Sequence, residues 1–98
     1  MITIYKYELK AIDLQQVEMP VGAQILSVGT TVIGEVITRD VLCLWAKVNT
    51  DNIKEARSFL ICGTGHKLIT EAAKFLGTTF MDNESVWHIF EVSNDYTC

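Results

Sequence analysis

The chain has 98 residues, of which 49% are apolar and 20% are charged, and its formal net charge is −4. This length fits one domain over residues 1–98, and the apolar content excludes an intrinsically disordered chain. No apolar run reaches the ~18–20 residues of a membrane span, and the first residues lack the basic start of a signal peptide. We therefore expect a cytoplasmic protein that binds no membrane. Twelve acidic against eight basic residues, without a basic cluster, argue against binding of duplex nucleic acid.

Short strands dominate the pattern along the chain. The segment 30–41 is β-branched and interrupted by Gly34, and we interpret it as two strand pieces of a hairpin inserted in the sheet. Residues 69–75 contain helix formers and predict a helix of about two turns, which has to pack on something. A turn is expected at 82–85 and a loose tail at 93–98. Alternation and turn residues predict strands over 3–9, 17–19, 24–28, 41–49, 57–62, 77–81 and 86–92.

These elements predict a mainly β (α+β) fold, a small antiparallel β-sandwich or open barrel of six to eight short strands with one short helix. Residues 41–49 are apolar on both faces, which is typical of a central strand or one buried in an interface. A domain of this size has more apolar side chains than one small core hides. The candidates for the excess are Tyr5, Tyr7, Trp45 and Trp87. We therefore expect a homo-oligomer, a dimer or a tetramer.

The three cysteines and two histidines do not have the spacing of a zinc site, so no metal or other cofactor is expected. Cys43 and Cys62 lie inside predicted strands and are interpreted as small apolar core residues, whereas Cys98 is terminal and is expected to be exposed. His88 lies on a strand face shared with apolar residues, where a partly buried histidine with one hydrogen bond is expected.

The segment Gly63-Thr64-Gly65-His66-Lys67 leaves two interpretations open. It is a sensible tight turn, because two glycines permit positive φ. It is also a sensible cradle for a phosphate or carboxylate, because such a turn can bring N–H groups together beside the hydroxyl of Thr64, the imidazole of His66, which can take up a proton, and the cation of Lys67. The spacing is neither that of a Walker A loop nor that of a dinucleotide-binding fingerprint.

Three further side chains are candidates for ligand contact. The rings of Trp45 and Trp87 can stack on a base, although tryptophans in a small β-protein also serve as core or interface residues. Arg57 opens a predicted strand, where it is either solvated or makes a bidentate contact with an anionic group. Hydrolase motifs such as G-x-S-x-G and H-E-x-x-H are absent from the sequence. An enzyme would have to use His66 or the cysteines, and we do not expect one.

The order of several short motifs resembles a widespread family of small phage and prophage proteins. The match covers about nine tenths of the chain, and it departs between Gly29 and Asp40, where family members are shorter. The loop after His66 also differs, since it is often proline-rich in the family and helix-like here. The motifs are IYKYEL at 4–9, MPxGA at 19–23, ILxV at 25–28, LCLWA at 42–46, RxF at 57–59, GTGH at 63–66, FLGT at 75–78 and VWHxFE at 86–91.

This resemblance implies a protein that acts in the host cytoplasm against host defence. One class of such proteins sequesters cyclic-nucleotide immune signals with symmetric oligomers, so a cyclic dinucleotide is the expected small ligand. Its expected contacts are Trp45, Arg57, Gly63, Thr64, Gly65, His66, Lys67 and Trp87. The alternative is an accessory protein that binds a host or virion protein, which the acidic charge, the apolar content and uncovered strand edges also favour.

Overall fold

The computed structural model describes residues 1–37, 39–81 and 85–93 and contains two antiparallel β-sheets. The first sheet has the order β1-β4-β3 and the second the order β2-β5-β7-β6. The strands are β1 (Ile2–Leu9), β2 (Leu14–Pro20), β3 (Gln24–Ile33), β4 (Arg39–Asn49), β5 (Lys54–Gly63), β6 (Ala73–Phe80) and β7 (Val86–Val92). The prediction of a small antiparallel β-sandwich is therefore confirmed.

Strand β4 is the centre of the first sheet, as its two apolar faces indicated. It pairs with β1 on one side and with β3 on the other. The sandwich core forms where this strand faces Phe59, Ile61 and Ile89 of the second sheet. Burial of each such side chain contributes roughly 1.5–3 kcal/mol to folding, so this contact holds the two sheets together. The alternate β4 residues that enter the core are Leu42, Leu44, Ala46 and Val48.

The two sheets also meet along one side, where β3 contacts β6. The hydroxyl of Thr30 donates to the carbonyl of Phe80 at 2.7 Å and lies 2.6 Å from the hydroxyl of Thr79. Since the Thr30 proton is used on the carbonyl, the Thr79 hydroxyl is the donor between the two threonines. Gly77 and Val28 approach so closely that a Cβ at Gly77 would lie 2.5 Å from Val28 Cγ2.

The connection between β5 and β6 crosses the second sheet. Both strands pair antiparallel with β7, one on each side, so they run in the same direction. Residues 64–72 must therefore return from Gly63, in register with Trp87, towards Ala73, in register with Val92. The connection starts over the outer face, because the Cys62 thiol lies 3.5 Å from the carbonyl oxygen of His66.

The structure changes two of the predicted elements. The helix over 69–75 is wrong, because residues from Ala73 onward belong to β6, and the described residues contain no helix. A two-turn helix is marginal by itself, whereas the ladder with β7 gives Ala73, Lys74 and Phe75 partners in the neighbouring strand. The second strand is longer than 17–19, because it begins at Leu14 and pairs with β5 from there to Pro20.

The predicted hairpin over 30–41 is confirmed. It joins β3 to β4, and Gly34 has a φ of 102°, which is why a glycine interrupts the β-branched run. Residues 82–84 of the expected turn and 94–98 of the expected loose tail, including Cys98, lie outside the described residues. Within the described ranges, no helix is long and apolar enough to cross a membrane.

Candidate functional site

The segment that the sequence singled out forms a tight turn at the end of β5. The amide of His66 donates to the carbonyl of Gly63 at 3.0 Å, which closes a four-residue turn. Gly65 has a φ of 85°, a conformation that a residue with a side chain rarely adopts at this position of a turn. The turn projects the His66 side chain back over the end of the strand.

Thr64 ties this turn to the neighbouring strand β7. Its amide donates to the carbonyl of Val86 at 3.1 Å, and its hydroxyl lies 2.8 Å from Nε2 of His88. The other ring nitrogen of His88 lies 2.9 Å from the hydroxyl of Thr78. His88 therefore has hydrogen-bond partners at both nitrogens and acts as a brace between the turn, β7 and β6.

A groove opens beside the turn, on the side of His66 and Trp87. Its volume is about 370 Å³. The rings of His66 and Trp87 meet edge to face with their centres 6.1 Å apart. Gly63 provides the space for them, because a Cβ there would lie only 2.8 Å from Nδ1 of His66. We call this the Trp87 groove, and its lining residues are Gly63, Thr64, His66, Ser85, Val86 and Trp87.

Side chains give the Trp87 groove its chemistry. His66 and the neighbouring Lys67 are exposed and supply an imidazole and an ammonium group. The Trp87 indole N–H donates to the Ser85 hydroxyl at 3.0 Å, which fixes the ring, while the ring itself also packs against the core. A fixed aromatic surface beside an imidazole suits a flat molecule, and the nearby ammonium group of Lys67 favours an anionic one.

The backbone contributes less than a phosphate cradle would require. Two of the N–H groups in the segment, those of Thr64 and His66, are already bonded to carbonyls of Val86 and Gly63. Of the two interpretations of the sequence, the tight turn accounts for both of these groups. An anion in the Trp87 groove would therefore depend on side chains, of which His66 lines the groove and Lys67 follows it in the chain outside the lining.

Arg57 lies away from the groove, near the opposite end of β5. Gly63 is six residue steps further along the strand, or roughly 20 Å away. Its guanidinium makes a bidentate ion pair with Glu91, with Nε and Nη2 at 2.6 Å and 2.8 Å from the carboxylate oxygens, and Nη1 donates to the carbonyl of Ala23. The hydrogen bonds with Glu91 raise the pKa of Arg57, against the opposing effect of burial. Arg57 thus makes the bidentate contact that the sequence suggested for a ligand, but its partner is Glu91 of the protein itself.

Trp45 also lies away from the groove, on the outer face of the first sheet. Its ring covers Gly29 on the neighbouring strand, where a Cβ would lie 3.0 Å from Cζ3 of the indole. On the same face Cys43 is fully buried, and this burial raises the pKa of its thiol.

The structure thus brings together four of the candidate site residues, Gly63, Thr64, His66 and Trp87, and Gly65 and Lys67 lie next to them in the chain. It places neither Arg57 nor Trp45 at this groove.

A larger cavity, of about 570 Å³, was not anticipated from the sequence. It lies where β1 ends and β4 begins, and both strand ends carry charged residues, including Lys10 and Arg39. The side-chain amide of Gln15 exchanges two hydrogen bonds with the backbone of Lys10, which holds this rim in place. The clustering of Glu8, Lys10, Arg39 and Asp40 at strand ends is the only sign of this cavity in the sequence.

In the described part of the chain, no group of three His, Cys, Asp or Glu residues is arranged to hold a metal ion.

Comparison with known proteins identifies the family. A family model described as a domain of unknown function, DUF7352, matches residues 1–97. The chain belongs to the DUF7352 family. No curated protein and no solved structure matches it.

The DUF7352 match includes every residue of the Trp87 groove and of the larger cavity. The groove is therefore built from the family domain itself. The family description names no ligand or reaction, so a function for this chain has to be argued from the site.

Proposed function

We propose that this protein is a non-enzymatic binding protein that sequesters a small phosphorylated signal of the cyclic dinucleotide type. The Trp87 groove is its binding site, and a homo-oligomer presents more than one such groove. By removing the signal from solution, the protein counters an anti-phage defence of the host.

The observation that carries this proposal is the meeting of His66 and Trp87 at the Gly63–His66 turn. A nucleotide has a flat base and a phosphate. The groove offers the Trp87 ring and the His66 imidazole, and the ammonium group of Lys67 follows next in the chain. Base stacking on an aromatic ring contributes about 1–3 kcal/mol. A cation beside the ring adds affinity for the phosphate without requiring a basic protein surface.

The size of one groove suits one nucleotide unit, which is half of a cyclic dinucleotide. Its volume of about 370 Å³ lies near the lower end of the ~300–1,000 Å³ that small-molecule sites span. One groove accommodates one nucleotide unit better than two. A symmetric oligomer would provide one groove for each half of a cyclic dinucleotide.

The biological setting rests on the resemblance to small phage and prophage proteins. A sequestering protein acts stoichiometrically, so it needs high affinity and slow release rather than turnover. We therefore expect the bound ligand to be recovered unchanged after long incubation with the protein.

Calorimetric titration and thermal unfolding with a panel of cyclic dinucleotides test the proposal. A ligand present at 100 times its Kd should stabilise the protein by about 2.7 kcal/mol. His66→Ala and Lys67→Ala should weaken binding without unfolding the protein, because both side chains are exposed. Lys54→Ala, an exposed lysine at the far end of β5, is the matched control and should bind normally. The absence of binding by every cyclic dinucleotide would contradict the proposal.

A protein partner is the second candidate, and the outer face of β6 favours it. Phe75 and Phe80 are 56% and 66% exposed, and Phe75 stacks edge to face on Phe90 with ring centres 5.5 Å apart. Exposed aromatic side chains on one face are typical of protein interaction sites. Capture of one defined host or virion protein by the wild type, lost with Phe75→Ser and Phe80→Ser, would support this function.

A further inference from the structure

We propose that β1 is the surface through which two copies of this chain associate. The two β1 strands pair antiparallel about a two-fold axis at Tyr7 and join the two first sheets into one sheet of six strands. This inference does not depend on what the Trp87 groove binds, because the groove lies in the second sheet.

β1 is the open edge of the sandwich. Among the described residues it pairs only with β4, and its ladder runs from Ile2 to Leu9 without a register shift or a proline. Of the other edges, β3 and β6 contact each other through Thr30 and both contain a register shift, whereas β2 is regular but one residue shorter than β1 and ends at Pro20. A regular, unpaired edge of this length is a template for a further strand.

The side chains of β1 are apolar for an exposed edge. Ile2 is 63% exposed, Ile4 57% and Tyr5 43%. Tyr5 and Tyr7 stack edge to face with their ring centres 6.3 Å apart, so a rigid aromatic pair flanks the open edge. In the register centred on Tyr7, residues 5–9 of the two copies face each other, so the pairing removes part of the Tyr5 surface from water. Ile2 and Ile4 lie beyond the paired segment.

The charges on β1 favour a second copy of this chain as the partner strand and determine which residues face each other. Lys6 and Glu8 are opposite charges two positions apart on the outer face of β1, where both are exposed. In an antiparallel pair centred on Tyr7, Lys6 of one copy faces Glu8 of the other, and the two-fold axis forms this contact twice. A pair centred on Lys6 would place the two ammonium groups opposite each other. Opposite charges across strands stabilise a sheet, and like charges destabilise it.

The pleat of the sheet limits the registers in which two β1 strands can pair. Residues facing each other across two strands lie on the same face, so a two-fold axis through the sheet must pass through a residue position. Among such positions within β1, Tyr7 is the one that faces Lys6 with Glu8. It also places Tyr5 opposite Leu9 of the other copy, which keeps apolar side chains together on the inner face.

Sedimentation of charge variants tests the interface without any ligand. Wild-type protein should form a dimer that dissociates on dilution. Lys6→Glu should weaken it at least about tenfold, because two attractive pairs become repulsive. Glu8→Lys should do the same, and the double variant K6E/E8K should restore wild-type association. A monomeric wild type, or a double variant as weak as the single ones, would overturn the proposal.

Disulfide formation tests the register. In a Cys98→Ser background, Tyr7→Cys should cross-link two copies on mild oxidation, since facing Cα atoms lie within the 4.4–6.8 Å that a disulfide spans. Tyr5→Cys is the matched control, because its two copies would lie roughly 13 Å apart and should not cross-link. Cross-linking through position 5 and not through position 7 would overturn the register. The groove proposal would be unaffected by that result, since calorimetry tests it separately.

Discussion

Arg57 is the residue whose role the structure changes most. Its guanidinium is mostly buried and binds both carboxylate oxygens of Glu91 and the carbonyl of Ala23. The arginine therefore joins β5, β7 and the segment before β3. Removing it would leave the Glu91 carboxylate partly buried without this partner, so we assign Arg57 to stability rather than to ligand contact.

Arg57→Ala should lower the free energy of unfolding by about 1.5–3 kcal/mol, which denaturant unfolding measures. Arg57→Lys should lose part of this amount, because an ammonium group cannot replace the bidentate contact. Affinity for a ligand in the Trp87 groove should not change under conditions where the variant is folded. A variant of wild-type stability with lost binding would contradict this assignment.

Tyr7 predicts a dependence of stability on pH. Burial raises its pKa above the ordinary value of 10.0, and the neighbouring Tyr5 raises it further. Above about pH 10 the unfolded chain therefore loses this proton before the folded one. The contribution of Tyr7 is fully present below that pH and is lost as the pH rises through the raised pKa. Denaturant unfolding between pH 9 and 11, roughly one unit either side of that value, should show this decrease and a smaller one for Tyr7→Phe. Equal decreases for the two proteins would contradict it.

At the scale of the elements, the contact between β3 and β6 closes the sandwich on one side. Thr30 is its centre, since one hydroxyl bonds both Thr79 and the Phe80 carbonyl. Thr79 is buried, so loss of the Thr30 hydroxyl leaves a buried polar group without this partner.

Thr30→Val should therefore destabilise the protein by about 1–3 kcal/mol, measured by thermal or denaturant unfolding. Thr30→Ser keeps the hydroxyl and should cost less. Equal stability of the two variants would show that the hydroxyl is not what holds β3 to β6.

The elements also show which parts of the fold sequence reasoning can reach. The strand 86–92 and the hairpin at Gly34 follow from local alternation and turn residues, and both are found in the structure. Residues 69–75 have local helix formers, but Ala73 and the residues after it pair with β7. That pairing depends on strands distant in the sequence, so a local pattern does not contain it.

At the scale of the whole molecule, the sandwich determines which candidate residues meet. His66 and Thr64 are two positions apart in sequence, and the hydrogen-bonded ladder between β5 and β7 brings Trp87 close to them, which local reasoning did not establish. Arg57 and Trp45 carry equally suitable side chains, but six residues of strand separate the first from the turn and the second lies on the outer face of the other sheet. Residue type indicated the candidate site residues, and the topology determines which of them come together in the groove.

The central claim is that the Trp87 groove binds a small phosphorylated ligand of the cyclic dinucleotide type. Titration of the labelled protein with cyclic dinucleotides, followed by two-dimensional NMR, tests it most directly. The proposal predicts that the amide signals of Thr64, His66 and Lys67 and the indole N–H signal of Trp87 shift together, while the indole signal of Trp45 stays in place. Unchanged signals with every ligand, or shifts confined to residues distant from the groove, would contradict it.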